Sequence, residues 1–224
     1  MKDSCRKTFR KRSLAAGFSL IELLVVVAIF MIMTAVILYN QNKFSSDISI
    51  SNVAYAVALQ VRQAQVYGTL VRQSQSSSGA TFDSAYGLRF SDGDQGVEFA
   101  FFADDDNDLF YSAGDSIIGE YVLPEGNVIT DLCTYKGATV RCFQSSDDDR
   151  ITFADIVFKR PEPRAIITDS SQEIDEDSGV PTLDSYRDEV QITITSSLGD
   201  RTRIVKVTST GQISVVTPPE VPNP

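Results

Sequence analysis

The chain has 224 residues, a net charge of -10, three Cys, and neither His nor Trp. The length suits one domain plus appendages, and the missing imidazole removes the usual general base, the commonest nitrogen metal ligand and every Ser-His or Cys-His catalytic pair. Six Lys/Arg and one Asp fall in the first 17 residues, so the remainder carries -15, and such an acidic body disfavours bulk binding to phosphate backbones.

Residues 1–17, MKDSCRKTFRKRSLAAG, form a strongly basic segment that ends in the small residues Ala15, Ala16 and Gly17. Residues 18–39, FSLIELLVVVAIFMIMTAVILY, are apolar apart from Ser19, Glu22 and Thr34. At 1.5 Å per residue this stretch crosses a hydrocarbon layer of about 30 Å. The basic flank predicts that the N-terminal end stays in the cytoplasm and that everything after Tyr39 faces outward. An ordinary secretory signal is cut after its apolar region. Here the small residues precede it, so the apolar segment survives processing.

That order, with GFSLIELLVVVAIF at the junction, closely resembles the class III signal of type IV prepilins and pseudopilins. The resemblance implies cleavage between Gly17 and Phe18 by a prepilin peptidase, and N-methylation of Phe18. A carboxylate within an apolar span costs about 2.5–3.5 kcal/mol and so needs a partner. In the family the Glu at this position pairs with the N-terminal amine of a neighbouring subunit, which implies an assembly role for Glu22. Many major pilins carry a Pro about 22 residues into the mature chain; Tyr39 stands here instead, which predicts a straighter helix and favours a minor pilin or pseudopilin.

Beyond the membrane, residues 41–76 lack Pro, and Ala54, Val57, Ala58, Val61, Ala64 and Gly68 recur at helical spacing. Gln60, Arg62, Gln63, Gln65, Arg72 and Gln73 are assigned to the polar face, and SSSG at 76–79 to the helix end. After Gly79 short β-branched or aromatic runs alternate with Gly, Asp, Asn and Ser. Strands are predicted at 86–90, 97–102, 116–123, 139–143, 151–158, 189–195, 202–208 and 212–216. The expected fold is α+β, a long N-terminal helical stem packed on a mostly antiparallel β head. Its parts are a leader at 1–17, a transmembrane and polymerisation helix at 18–39, an amphipathic extension at 40–78, the head at 79–216 and a Pro-rich tail at 217–224. The SLGDRTRIVKVTSTGQISVV hairpins resemble the terminal hairpin of H-type pseudopilins (GspH) and FimT-like minor pilins.

Cys133 and Cys142, nine positions apart in a strand-and-turn region, are read as a disulfide of an exported domain; Cys5 lies in the leader. The run DDDNDLFYSAGD at 104–115 places Asp104, Asp106, Asp108 and Asp115 at relative positions 1, 3, 5 and 12, with the Phe110 carbonyl at 7. That is the spacing by which a loop wraps Ca²⁺. Leu109 stands where the motif needs Gly, so two readings stay open: a calcium-stapled loop and an acidic solvated turn. No cofactor is required. Asp147, Asp148 and Asp149, and Glu173, Asp175, Glu176 and Asp177, are read as surface runs. Arg201, Arg203 and Lys206 are the late basic cluster, able in principle to contact DNA phosphates, with Asp188, Glu189 and Asp200 close by.

These expectations converge on a non-enzymatic subunit of a type IV filament at the bacterial inner membrane, with its head in the periplasm or exterior. The pseudopilus of a type II secretion system is the first reading and a FimT-like minor pilin for adhesion, motility or DNA uptake the second. Implied partners are other pilins, the prepilin peptidase and the inner-membrane assembly platform.

Overall fold

The computed structural model describes residues 17–70, 74–76, 79–93, 96–146 and 149–218. The leader with Cys5, Arg72, Gln73, Asp147, Asp148 and most of the tail therefore lie outside the described residues. The chain divides into two units, Met1–Lys43 and Phe44–Pro224. The helix α1 (Leu20–Thr69) begins in the first and ends in the second.

In the first unit, Leu20–Tyr39 has a mean hydropathy of 2.9 and buries nothing within the protein. Its one internal hydroxyl is satisfied locally, Thr34 Oγ1 donating to the Phe30 carbonyl at 2.7 Å. That bond removes the cost of an unpaired polar group in an apolar setting.

The second unit is α+β. Its strands are β1 (Ser74–Ser76), β2 (Gly79–Thr81), β3 (Ala85–Gly93), β4 (Gly96–Asp104), β5 (Ser116–Tyr121), β6 (Val128–Lys136), β7 (Thr139–Cys142), β8 (Phe153–Phe158), β9 (Ala165–Asp169), β10 (Glu189–Thr195), β11 (Thr202–Thr208) and β12 (Ile213–Val216). β1 and β2 form a small hairpin, and the rest make two five-stranded sheets, ordered β12-β11-β10-β6-β7 and β5-β4-β3-β8-β9. Every pairing within them is antiparallel. Strict alternation in EVQITIT explains why β10 faces the core with one side only: Val190, Ile192 and Ile194 are buried while the residues between are half-exposed.

One core joins the helix and both sheets, with Ile50, Ala54, Val57, Val61 and Ala64 of α1 packed among Leu88, Phe90, Ile156, Ile192 and Val205. Each large apolar side chain so buried contributes about 1.5–3 kcal/mol. Small residues on the helix let it approach closely. At Gly68 an added Cβ would lie 2.2 Å from the Phe158 carbonyl oxygen. Gln65 closes the contact, its Nε2 donating to the carbonyls of Pro163 at 2.7 Å and Gly211 at 3.0 Å. Gln65 is therefore a buried clamp and not part of the polar face, because those two carbonyls need a donor in a dry position.

The predicted apolar face holds through Ala54, Val57, Val61 and Ala64, all buried. The opposite face departs from expectation: Ile48, Tyr55, Leu59, Val66 and Leu70 are exposed. The helix also ends at Thr69 instead of continuing to 76, and 74–76 pairs as a strand with 79–81. The tight Gly68 contact and the Thr69 hydroxyl, which bonds back to the Gln65 carbonyl at 2.8 Å, close the last turn.

Two full strands were not expected, β6 and β9. VITDLCTYK carries Asp131 mid-strand, and AIITD is short and flanked by Pro161 and Pro163. Both signals read as loop. Tertiary pairing overrides them. The Asp131 carboxylate accepts the N–H of Leu132 at 2.9 Å and of Gln144 at 3.3 Å. The Asp169 carboxylate at the end of β9 is buried with Arg187, whose Nε lies 2.8 Å away. Thr134 of β6 donates to the same carboxylate at 2.6 Å. Although burial pushes Asp169 upward, the bonds from Arg187, Ser171 and Thr134 outweigh it and hold the carboxyl below its usual range. This network ties the two sheets together along one side.

Candidate functional site

The N-terminal junction is built by a helix start. Gly17, Phe18 and Ser19 are non-helical and exposed, and α1 begins at Leu20. Ser19 caps it, its Oγ accepting the Glu22 N–H at 3.3 Å while its carbonyl accepts the Leu23 N–H at 3.2 Å. Ser19-x-x-Glu22 is thus the S-x-x-E pattern that satisfies orphan donors of a first turn. The Ser-x-x-Glu spacing is itself a sequence signal for this helix start. The consequence is local. The Gly17–Phe18 peptide sits two residues outside the helical hydrogen-bond ladder, and Glu22 is exposed in the first turn, where the helix dipole favours negative charge.

The acidic loop between β4 and β5 brings its predicted residues together. Asp104, Asp106, Asp108 and Asp115 each present an oxygen within 4.8 Å of the others. The loop organises them through its own donors. Asp104 accepts the N–H groups of Asp108 and Leu109, both at 3.1 Å, Asp108 accepts that of Phe110 at 3.2 Å, and Asp115 accepts those of Asp105 at 2.9 Å and Ser112 at 2.7 Å. Ser112 Oγ donates to Asp106 at 3.0 Å. Leu109, at the position where the calcium motif uses Gly, takes a φ of 70°, and Asn107 one of 63°. The left-handed turn therefore forms without glycine, at a cost of about 1–2 kcal/mol for the Leu.

This loop folds back on the outer face of its sheet. Tyr111 packs against the small cluster of Ala85, Phe102 and Val157, and its N–H donates to Asp155 at 3.2 Å. Arg89 stacks over the Phe153 ring at 3.8 Å and donates to the Tyr111 carbonyl at 2.6 Å. Burial, with the charges of Asp115 and Asp108, pushes the Asp104 carboxyl up to about 7. Burial likewise raises Asp108 and Asp115 to about 6. Burial also takes Asp155 to about 7 despite Arg89, whose Nε stays 3.6 Å away. Such a group of oxygens can hold a hard divalent cation or, failing that, protons.

The basic cluster is neutralised. Arg203 lies 2.8 Å from Asp47 of α1, Arg201 lies 4.0 Å from the same carboxylate, and Lys206 lies 2.5 Å from Glu189. The three cations are on β11 or just before it, and each has an anion at hand. Cys133 and Cys142 are directly opposed on β6 and β7 and joined by a disulfide. Closing that short loop is worth about 2–3 kcal/mol against the unfolded chain. The acidic run at Glu173, Asp175, Glu176 and Asp177 occupies an exposed turn in which Asp175 accepts the Ser178 N–H at 2.9 Å.

Among known proteins, the family described as the prokaryotic N-terminal methylation motif matches residues 12–38. No curated protein and no solved structure matches the chain. The motif match and the apolar helix that follows it support a membrane-anchored, type IV pilin-like protein, a class whose role is structural.

Proposed function

We propose that the chain is cut between Gly17 and Phe18, methylated on Phe18, and assembled into a type IV filament as a minor pilin or pseudopilin. The observation that carries this reading is the junction itself: an exposed Gly-Phe peptide outside the ladder, a Ser19 cap, and Glu22 in the first turn of a long apolar helix. Glu22 is assigned to the amine of Phe18 on a neighbouring subunit. The exposed apolar residues Tyr55, Leu59, Val66 and Leu70 extend that logic to the outer part of α1, where a bundle of helices would cover them.

The pseudopilus of a type II secretion system at the inner membrane, with the head outside the cytoplasm, is our first assignment, and a FimT-like minor pilin is the alternative. The acidic loop is taken as the candidate calcium staple of the head. DNA capture gains no support from Arg201, Arg203 and Lys206, since each faces a carboxylate. The deciding experiment is intact mass and N-terminal sequencing of membrane-extracted protein from cells with and without their prepilin peptidase. A chain starting at methylated Phe18 only when the peptidase is present is expected. The same uncleaved chain in both strains would overturn the assignment.

A further inference from the structure

One end of the head gathers exposed apolar groups that its core does not use. The β10–β11 turn reaches α1 there, Ser46 Oγ donating to Asp200 at 2.9 Å and Arg203 pairing with Asp47. The turn before β6 meets the same place, because Asn127 Nδ2 donates to Ser49 Oγ at 3.2 Å and Gly126 abuts the Ser197 side chain. On this rim Leu198 is 68 % exposed and Val122 87 %, with Ile48 and Val128 also exposed. The cations beside them face a carboxylate, Arg201 and Arg203 both lying against Asp47.

We infer that this rim is a membrane-contact surface, which rests the head on the bilayer that holds the chain's own apolar helix before assembly. The inference rests on the membrane-anchored reading above. Its occupant follows from connectivity. Ser46 comes seven positions after Tyr39, the last residue of the apolar span, and seven residues reach at most about 25 Å even when fully extended. The end of the head bonded to residues 46–49 is therefore the end tethered nearest the lipid. Leucine and valine side chains suit the boundary between headgroups and acyl chains, where apolar groups enter. The opposite end offers an internal comparison: Leu183 is equally bare, at 85 % exposed. Its neighbour Asp184 is held by Lys136, at the far end of β6 from Val128, about 27 Å away along the strand.

The absence of Trp makes the test clean. Leu198→Trp and Leu183→Trp are made separately in the full chain and reconstituted at high lipid excess into phosphatidylcholine vesicles, with and without bromine on the upper acyl carbons. The reporter at position 198 is expected to shift to the blue and lose roughly half its emission to brominated lipid, as for a ring inserted about 5–10 Å, while that at 183 is unaffected. Equal quenching at both positions, or none at 198 in protein that floats with the vesicles, overturns the rim contact and leaves the anchor intact. A blue shift at 198 without quenching overturns it in favour of a neighbouring protein surface. Protein that fails to float with the vesicles overturns the anchored reading itself.

Discussion

Substituting Gly68 tests whether the helix really lies as close to the sheet as the head requires. In Gly68→Ala the new Cβ would lie 2.2 Å from the Phe158 carbonyl oxygen, 2.7 Å from its carbon and 2.8 Å from its Cβ. These are not atoms at the end of a flexible side chain. Phe158 closes β8 and is paired to Tyr86 on one side and Ala165 on the other, so the helix must retreat by about 1 Å to restore ordinary contact. Overpacking of that kind costs about 1–3 kcal/mol. Replacing Gly by Ala in a helix returns about 1 kcal/mol. With three contacts below 3.0 Å the upper part of the first range applies, and the net loss is about 2 kcal/mol, or roughly 4–8 °C in melting midpoint for a domain of this size. Thermal unfolding of the detergent-solubilised full chain, followed by circular dichroism in the β-sheet region, measures it. Asn52→Ala, at an exposed position of the same helix, provides the propensity change without the clash and should raise the midpoint slightly. A Gly68→Ala midpoint equal to or above wild type would refute the close approach.

Two further outcomes follow from buried charge. Arg187→Ala leaves Asp169 buried without its guanidinium partner, and should destabilise the head by about 3–5 kcal/mol in a denaturant melt, with Asp169→Asn in the same background recovering part of the loss. The acidic loop should make stability fall as pH rises. Asp104 and Asp155 are held near 7, and Asp108 and Asp115 near 6, above the ordinary value of 3.8. The folded state therefore binds more protons than the unfolded chain between about pH 4 and 7. The stability these groups contribute is complete below pH 4 and is lost as pH climbs through 6 and 7. Melting midpoints in chelator should drop from pH 5 to pH 8, less steeply in Asp104→Asn; a rise over that interval would contradict the burial of these carboxylates. Calcium is expected to restore the midpoint at pH 8 and to add little at pH 5, where protons occupy the same oxygens.

Local rules carried much of the fold. Helical spacing from Ala54 to Ala64 picked out the buried face of α1, and period-two alternation located β10 and β11, because in both cases the residue's side of the element is set by backbone geometry alone. The apolar span and the methylation motif matched over residues 12–38 were equally plain, since their signal is a contiguous run and needs no distant partner. The convergence of Asp104, Asp106, Asp108 and Asp115 followed from spacing within one short loop.

What the linear chain left undecided depends on groups far apart in it. β6 and β9 look like loops until Asp131 meets Gln144 and Asp169 meets Arg187, which turn unfavourable strand residues into satisfied ones. Gln65 reads as solvent-facing until Pro163 and Gly211 present bare carbonyls to it. Arg201, Arg203 and Lys206 read as a cationic patch until the fold sets Asp47 and Glu189 against them. In each case a polar side chain's role is fixed by what faces it across the tertiary structure, while the apolar pattern, which needs only to leave water, could be read from spacing alone.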